Sequence, residues 1–200
     1  GKYQQTAIRN IDWALSKQNK HGWFSDNCLD NPKQPLVHTI AYNIQGILEA
    51  GIVLKNEAYI SKATIAAIAM ADQLRPDGSL SGRYDSRWNA MSSWSCLTGN
   101  AQMSIIWSRL HHMGINSDLY HASEKINNFS RSIQNLRTNS SGRNGGVKGT
   151  YPVYGGYGTF EYLNWAVKFF MDAFLLEEKT KGNKCINKLE KNGIPLFWGS

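Results

Sequence analysis

Ala14-Leu-Ser-Lys-Gln18 before His21-Gly22-Trp23-Phe24, Ala71-Asp72-Gln73-Leu74 before Asp77-Gly78-Ser79-Leu80, and Ser132-Ile-Gln134-Asn-Leu136 before Asn144-Gly145-Gly146-Val147 are three versions of one pattern. Each ends a helical stretch near a glutamine and then turns at a glycine, the residue that most readily supplies the positive φ of a helix stop. The glutamines lie 55 and 61 residues apart. Self-similarity of this kind marks a repeat architecture and is read before anything else.

A second element recurs out of phase with the first. It runs His38 to Gly51, Leu97 to Gly114 and Glu161 to Lys179. Ile40, Ile44, Ile47 and Leu48 keep the i, i+4, i+7, i+8 stripe of an amphipathic helix, as do Met103, Ile106, Trp107 and Leu110. Gly51 and Gly114, 63 residues apart, read as the ends of the first two copies. Between these segments, Asn56 to Leu74 is rich in Ala and Ile. Asp118 to Leu136 spaces Leu119, Ile126, Phe129, Ile133 and Leu136 helically. The unit is helix, short glycine turn, helix, long loop. Period-two alternation is almost confined to Tyr151 to Tyr157, so strands are a minor component. Helix pairs of this kind stack side by side because no pair buries its own apolar face. With short and long connections alternating, the long loops 21–37, 76–96 and 138–160 all fall at one end, and connections of that length are often functional.

The helix-Gln-turn-Gly-aromatic repeat followed by a second helix resembles the α/α toroid. That fold is shared by six-hairpin glycosidases, polysaccharide lyases and epimerases, terpenoid cyclases and protein prenyltransferases. The resemblance runs from Thr6 to Glu178 and implies an all-α chain forming a single domain over 1–200. With three to four hairpins, fewer than a closed toroid has, it is an open or partial toroid or part of a longer chain. Ser93-Trp-Ser-Cys-Leu-Thr-Gly-Asn-Ala-Gln102, and Tyr151 to Tyr157 leading into Tyr162 to Phe170, are similar to proteins of bacterial surface-polysaccharide loci. The Gly99-Asn-Ala-Gln102 helix entry is also similar to the helical domain of glucuronyl C5-epimerases. These resemblances imply a carbohydrate-active protein acting on an acidic or surface polysaccharide.

The loops hold the residues for such a role. Aromatic rings stack on the C–H faces of pyranoses, while carboxylates and guanidinium groups bind hydroxyls and carboxylates. Asp85 and Glu161, from neighbouring loops, are the candidate acid and base of a glycoside hydrolase, which sets two carboxyls about 5–10 Å apart. Lyase or epimerase chemistry instead needs a base for the proton α to a uronate carboxylate, an acid, and a cation. Tyr154 and Tyr157 join the catalytic candidates on that ground. Arg87, Trp88, Trp94, Tyr84, Asp26 and His38 are the candidate substrate-binding residues.

Each has a structural alternative. Trp23 and Phe24 follow a helix-ending glycine and read as plugs between helices. Trp107, Trp165 and Phe169 sit mid-helix and read as core. Asp77 in Pro-Asp-Gly reads as turn chemistry, and His38 opens an apolar helix as a capping or core residue. A non-catalytic glycan- or protein-binding scaffold is a second reading of the chain. A third is a zinc-dependent prenyltransferase- or cyclase-like enzyme. In it Asp26, Cys28, His38 and Cys96 resemble the Asp-x-Cys plus His ligands of prenyltransferase β-subunits, although no tight Cys pair supports zinc. A Cys28–Cys96 disulfide, or buried inert thiols, accounts for the cysteines equally well. The expectation is no cofactor.

Composition closes off other classes. Of the 200 residues, 42% are hydrophobic and 18% charged, too apolar for disorder. The longest uncharged small-apolar run, Ala63 to Ala71, is far shorter than the ~20 residues of a membrane span. A net charge of +7 suits an anionic partner. The densest basic group is Lys179, Lys181, Lys184, Lys188 and Lys191, which reads as a solvated face. There is no basic stripe or P-loop, and Gly155-Gly156-Tyr157-Gly158 opens onto no Lys-Ser/Thr helix, so nucleic acid is not the expected partner. No charged stretch followed by an apolar one opens the sequence, so the default location is cytoplasmic.

Overall fold

The computed structural model describes residues 1–181; Lys184, Cys185, Lys188 and Lys191 lie outside them. Six helices are described. They are α1 (Lys2–Ser16), α2 (Val37–Leu54), α3 (Glu57–Ala71), α4 (Leu97–His112), α5 (Asp118–Ser132) and α6 (Asn164–Thr180). A two-stranded antiparallel sheet, β1 (Ser95–Cys96) and β2 (Thr150–Tyr151), pairs Ser95 with Tyr151 and Cys96 with Thr150.

Helix α4 is the centre of the packing. All but three of its sixteen residues are buried, and α2, α5 and α6 lie against it. Trp107 is fully buried on it and donates its indole N–H to the Ala67 carbonyl of α3 at 2.8 Å. One apolar cluster joins α2, α3 and α4 through Ile44, Ile47, Ala63, Met70, Met103 and Ile106. A smaller one joins α4 to α6 through Leu97, Ala101, Ile105, Ala166 and Phe170. Trp107 and Phe169 are buried as expected, whereas Trp165, read from the sequence as core, is 45% exposed. It occupies the second position of α6, where the helix emerges at the surface.

The repeat has a physical cause. Gly22, Gly78 and Gly145 all have positive φ, at 87°, 84° and 78°. A Cβ on Gly22 would stand 2.9 Å from Cα of Ala66 in α3, and one on Gly78 2.6 Å from the Lys125 carbonyl of α5. These turns therefore press backbone against the following outer helix, which only glycine permits. Gln18 and Gln134 each donate from Nε2 to the carbonyl of the turn glycine, Gly22 and Gly145, at 3.4 and 2.9 Å. Asp77 accepts from the Ser79 N–H at 2.9 Å, the turn role read for it. Trp23 and Phe24 are 7% and 1% exposed, the plugs that the pattern implies.

Some boundaries move. Helix α2 runs past Gly51 to Leu54, and Lys55 in the left-handed region makes the stop. Gly51 is instead where α2 meets α3, since a Cβ there would stand 2.8 Å from Cγ1 of Ile60. Helix α5 ends at Ser132, which leaves Leu136 at 62% exposure outside the core.

Short turns join α2 to α3 and α4 to α5, so the long connections leave from one end and are stitched together there. Val37 donates to the Gly82 carbonyl at 3.0 Å. Arg83 grips Asp30 through both terminal nitrogens at 3.0 and 2.6 Å. The β1–β2 pair and a 3.1 Å bond from the Leu97 N–H to the Gly149 carbonyl tie the second loop to the third. No described helix is long and apolar enough to cross a membrane.

Candidate functional site

The N-terminal turns of α2, α4 and α6 open at the loop end. Tyr42, Gln102 and Phe169 are each the sixth residue of their helix. His38, one turn before Tyr42, is 8% exposed, and its Nδ1 lies 2.7 Å from Oε1 of Gln102. With the Gln102 amide oxygen turned toward the ring, the proton sits on Nδ1 and Nε2 keeps its lone pair, an arrangement that leaves the Gln102 amide nitrogen buried without a partner among the described residues. Nε2 has no hydrogen-bond partner among the described residues. Burial pushes the His38 pKa down, and the Gln102 bond opposes that only in part. The imidazole is therefore held neutral.

Aromatic rings surround it. The centroid of Tyr42 is 4.7 Å from that of His38 and the centroid of Tyr157 is 5.4 Å away. Phe169 meets Tyr42 edge-on at 5.8 Å. Trp165 donates its indole N–H to the Tyr157 hydroxyl at 3.1 Å. Because an indole only donates, Tyr157 accepts there and keeps its own proton to give. Burial raises the Tyr157 pKa despite that bond, so the phenol stays protonated near neutrality. A proton acceptor and a proton donor thus stand side by side.

Two concavities flank Tyr42. One, of about 500 Å3, is lined by Tyr42, Asn164, Trp165, Lys168 and Phe169. Lys168 pairs with Asp172 at 2.6 Å. The other, of about 330 Å3, lies between α1 and α2 and includes Trp13, Lys17, Asp26 and Asn27. Asp26 has φ of 58° and pairs with Lys17 at 2.9 Å.

The remaining expected residues sit elsewhere. Asp85 accepts from the Arg87 and Asn89 N–H groups at 2.9 Å and from the Asn89 amide at 2.9 Å. Desolvation works upward on its carboxyl, but these bonds outweigh it and hold the pKa below the usual value. Its carboxylate closes its own turn. Arg87 is exposed on that turn, and Trp88 is 6% exposed with its indole N–H on the His21 carbonyl at 2.8 Å. Tyr84 is 1% exposed, its hydroxyl accepts from the Ser81 N–H, and burial pushes its pKa up to about 12. Trp94 is wedged between Gly82 and Gly155, where added Cβ atoms would meet its ring at 2.0 and 2.8 Å. Tyr154 is 68% exposed, and Glu161 is exposed on the third loop, its carbonyl accepting from the Gly149 N–H. The structure thus gathers His38, Tyr157 and Asp26 around the α2 mouth, while Asp85, Arg87, Trp88 and Tyr84 form the second loop and its anchorage on the first.

Cys28 and Cys96 are free thiols, and burial pushes the Cys96 thiol up to about 11. Among the described residues no three His, Cys, Asp or Glu side chains are grouped to hold a metal ion, so the Asp26, Cys28, His38 and Cys96 set is not assembled. Sequence reasoning missed Trp13, Tyr42 and Gln102. For Tyr42 and Gln102 the available signal was the shared sixth position of the helices that begin at the loop end; Trp13, on α1, lies outside that pattern.

No protein-family model matches the chain, and no curated protein matches it in sequence. Solved structures do match in fold. D-mannose isomerase matches with a TM-score of 0.65 and 12% identity, over 92% of this chain and 52% of that one. Cellobiose 2-epimerase from Spirochaeta thermophila DSM 6192 matches at 0.67 and 12%, over 94% and 51%. The unsaturated glucuronyl hydrolase of Bacillus sp. GL1, responsible for glycosaminoglycan degradation, matches at 0.63 and 14%, over 92% and 53%. The chain therefore has the fold of the six-hairpin, α/α-toroid proteins and spans about half the length of these structures.

Proposed function

We propose that the chain is the saccharide-binding part of a carbohydrate-active enzyme that moves a proton at a sugar carbon, in the manner of an epimerase, isomerase or lyase. The observation that carries this is the His38–Tyr157 pair. His38 is held neutral with Nε2 as acceptor, and Tyr157 stands beside it with an O–H to donate. Abstraction of a proton α to a carbonyl or carboxylate requires a base in reach of that proton and an acid to supply one in return. Tyr42 and Trp165, 50% and 45% exposed, supply flat apolar surfaces for a pyranose. That the structural neighbours carry the names of carbohydrate-acting enzymes supports the substrate class.

Paired-carboxylate hydrolysis has less support. Asp85 is engaged in its own turn, while Glu161 belongs to the third loop. Exposed aromatics along the rim also suit a scaffold that binds glycans without changing them. One experiment separates these readings. The protein is incubated with a panel of neutral and uronate oligosaccharides in deuterated water. Deuterium incorporated at a sugar carbon, or a new unsaturated uronate end, either one lost in His38→Asn, supports proton transfer. New reducing ends with neither deuterium nor an unsaturated uronate end point to hydrolysis, and binding without any product points to the scaffold.

A further inference from the structure

The concavity between α1 and α2 lies outside the His38–Tyr157 pair and has its own machinery. Trp13, on the last turns of α1, leaves 58% of its surface exposed, and Tyr42 forms the facing wall. Lys17 lies 5.4 Å from the Trp13 ring centroid and is tied to Asp26 at 2.9 Å, which fixes the ring and cancels the local charge. Asn27 and Asn43 line the same space. The Asn27 carbonyl is used by the Thr39 hydroxyl at 2.9 Å, but its side-chain Nδ2 is buried and has no partner among the described residues. Asn27 and Asn43 are both half-buried, so their carboxamide side chains present part of their surface to the concavity.

We infer that this concavity is a second sugar subsite, taking a neutral pyranose of an oligosaccharide whose neighbouring ring sits between α2 and α6. The inference rests on the carbohydrate reading above and specifies the substrate as an oligosaccharide rather than a single sugar. The chemistry selects a neutral ring. Carboxamides offer both donors and acceptors, which match vicinal hydroxyls. The one cation present already holds a carboxylate, so a uronate gains no free positive partner here. A volume of about 330 Å3 is at the small end of ligand sites and fits one ring rather than a chain. Tyr42 belongs to both concavities, so it separates adjacent sugars of one bound chain.

The test is a calorimetric titration of the protein with mannose, glucose and glucuronate and with linear tetrasaccharides built from them. Wild type binds a tetrasaccharide more tightly than its monosaccharide. Trp13→Ala weakens the tetrasaccharide about 3- to 10-fold, the loss of one aromatic stacking contact, and leaves the monosaccharide unchanged. Trp13→Phe restores most of the difference. Trp13 is exposed, so these variants retain the fold, which circular dichroism checks. Equal tetrasaccharide affinity in Trp13→Ala and wild type, or equal weakening of both ligand lengths, overturns the subsite while leaving the carbohydrate reading intact. No binding of any of these sugars by wild type overturns that reading, and the subsite with it.

Discussion

His38 and Glu177 are both buried ionisable groups, at 8% and 1% exposure, at opposite ends of the helices. Glu177, near the end of α6, has three hydrogen-bond partners. Asn127 donates to it at 2.7 Å, and Arg131 and Lys181 both bind its carboxylate. Desolvation raises its pKa, but those three partners outweigh it and hold the carboxyl below the usual value. His38 has one partner on one nitrogen and nothing on the other among the described residues. The same degree of burial thus serves different ends. A buried charge met by three donors ties helices together, whereas His38 packs against Tyr42, which lines both concavities, and keeps one ring nitrogen without a partner among the described residues.

The contrast breaks most readily through activity. His38→Asn lowers turnover by about 10²- to 10⁴-fold, the usual worth of a positioned base, while costing at most about 2 kcal/mol of stability. Glu177→Ala does the reverse. It strands Arg131 and Asn127 and costs about 3 kcal/mol in urea unfolding, with glycan affinity unchanged. If the two variants exchange these effects, the division of labour is wrong.

Acid sharpens the contrast. A histidine with a depressed folded pKa costs stability as pH falls below its unfolded value near 6.5, because the unfolded chain then binds the extra proton. His112, lowered by burial and by its cationic neighbours, acts in the same window. Glu177 contributes above the usual carboxylate value, and its share is lost only as pH falls through its lower folded value. Urea midpoints therefore fall between about pH 7 and 5.5 in wild type. His38→Asn flattens part of that fall, and Glu177→Ala alters only the drop at lower pH.

The thiols give the smallest effect. Cys96, fully buried and pushed up to about 11, stays unlabelled by a thiol reagent at pH 8 in the folded protein, while half-buried Cys28 reacts. Labelling is read in a Cys185→Ser background.

The helices were legible in the sequence because their causes are local. A turn glycine pressed on the next helix and a glutamine latching the glycine carbonyl leave a visible repeat, as at Gly22 and Gln18. Gly51 misled because a close helix–helix approach selects glycine as strongly as a helix stop does. The site was less legible because it is made across helices. Gln102 is one polar residue among several on a buried helix until it meets His38, 64 positions earlier. Trp165 carries the helical spacing of a core residue, yet α6 is open at its first turn. Tyr84 and Trp88 looked available because they lie in a long loop, but that loop folds back and buries them.

The most direct test of the account is nitrogen-15 NMR of the His38 imidazole, titrated with pH and then with an oligosaccharide. The account predicts the Nδ1–H tautomer, an apparent pKa below the ordinary 6.5, and a shift of Nε2 on saccharide addition. An imidazole protonated on Nε2, titrating at or above 6.5, or indifferent to every saccharide would contradict it.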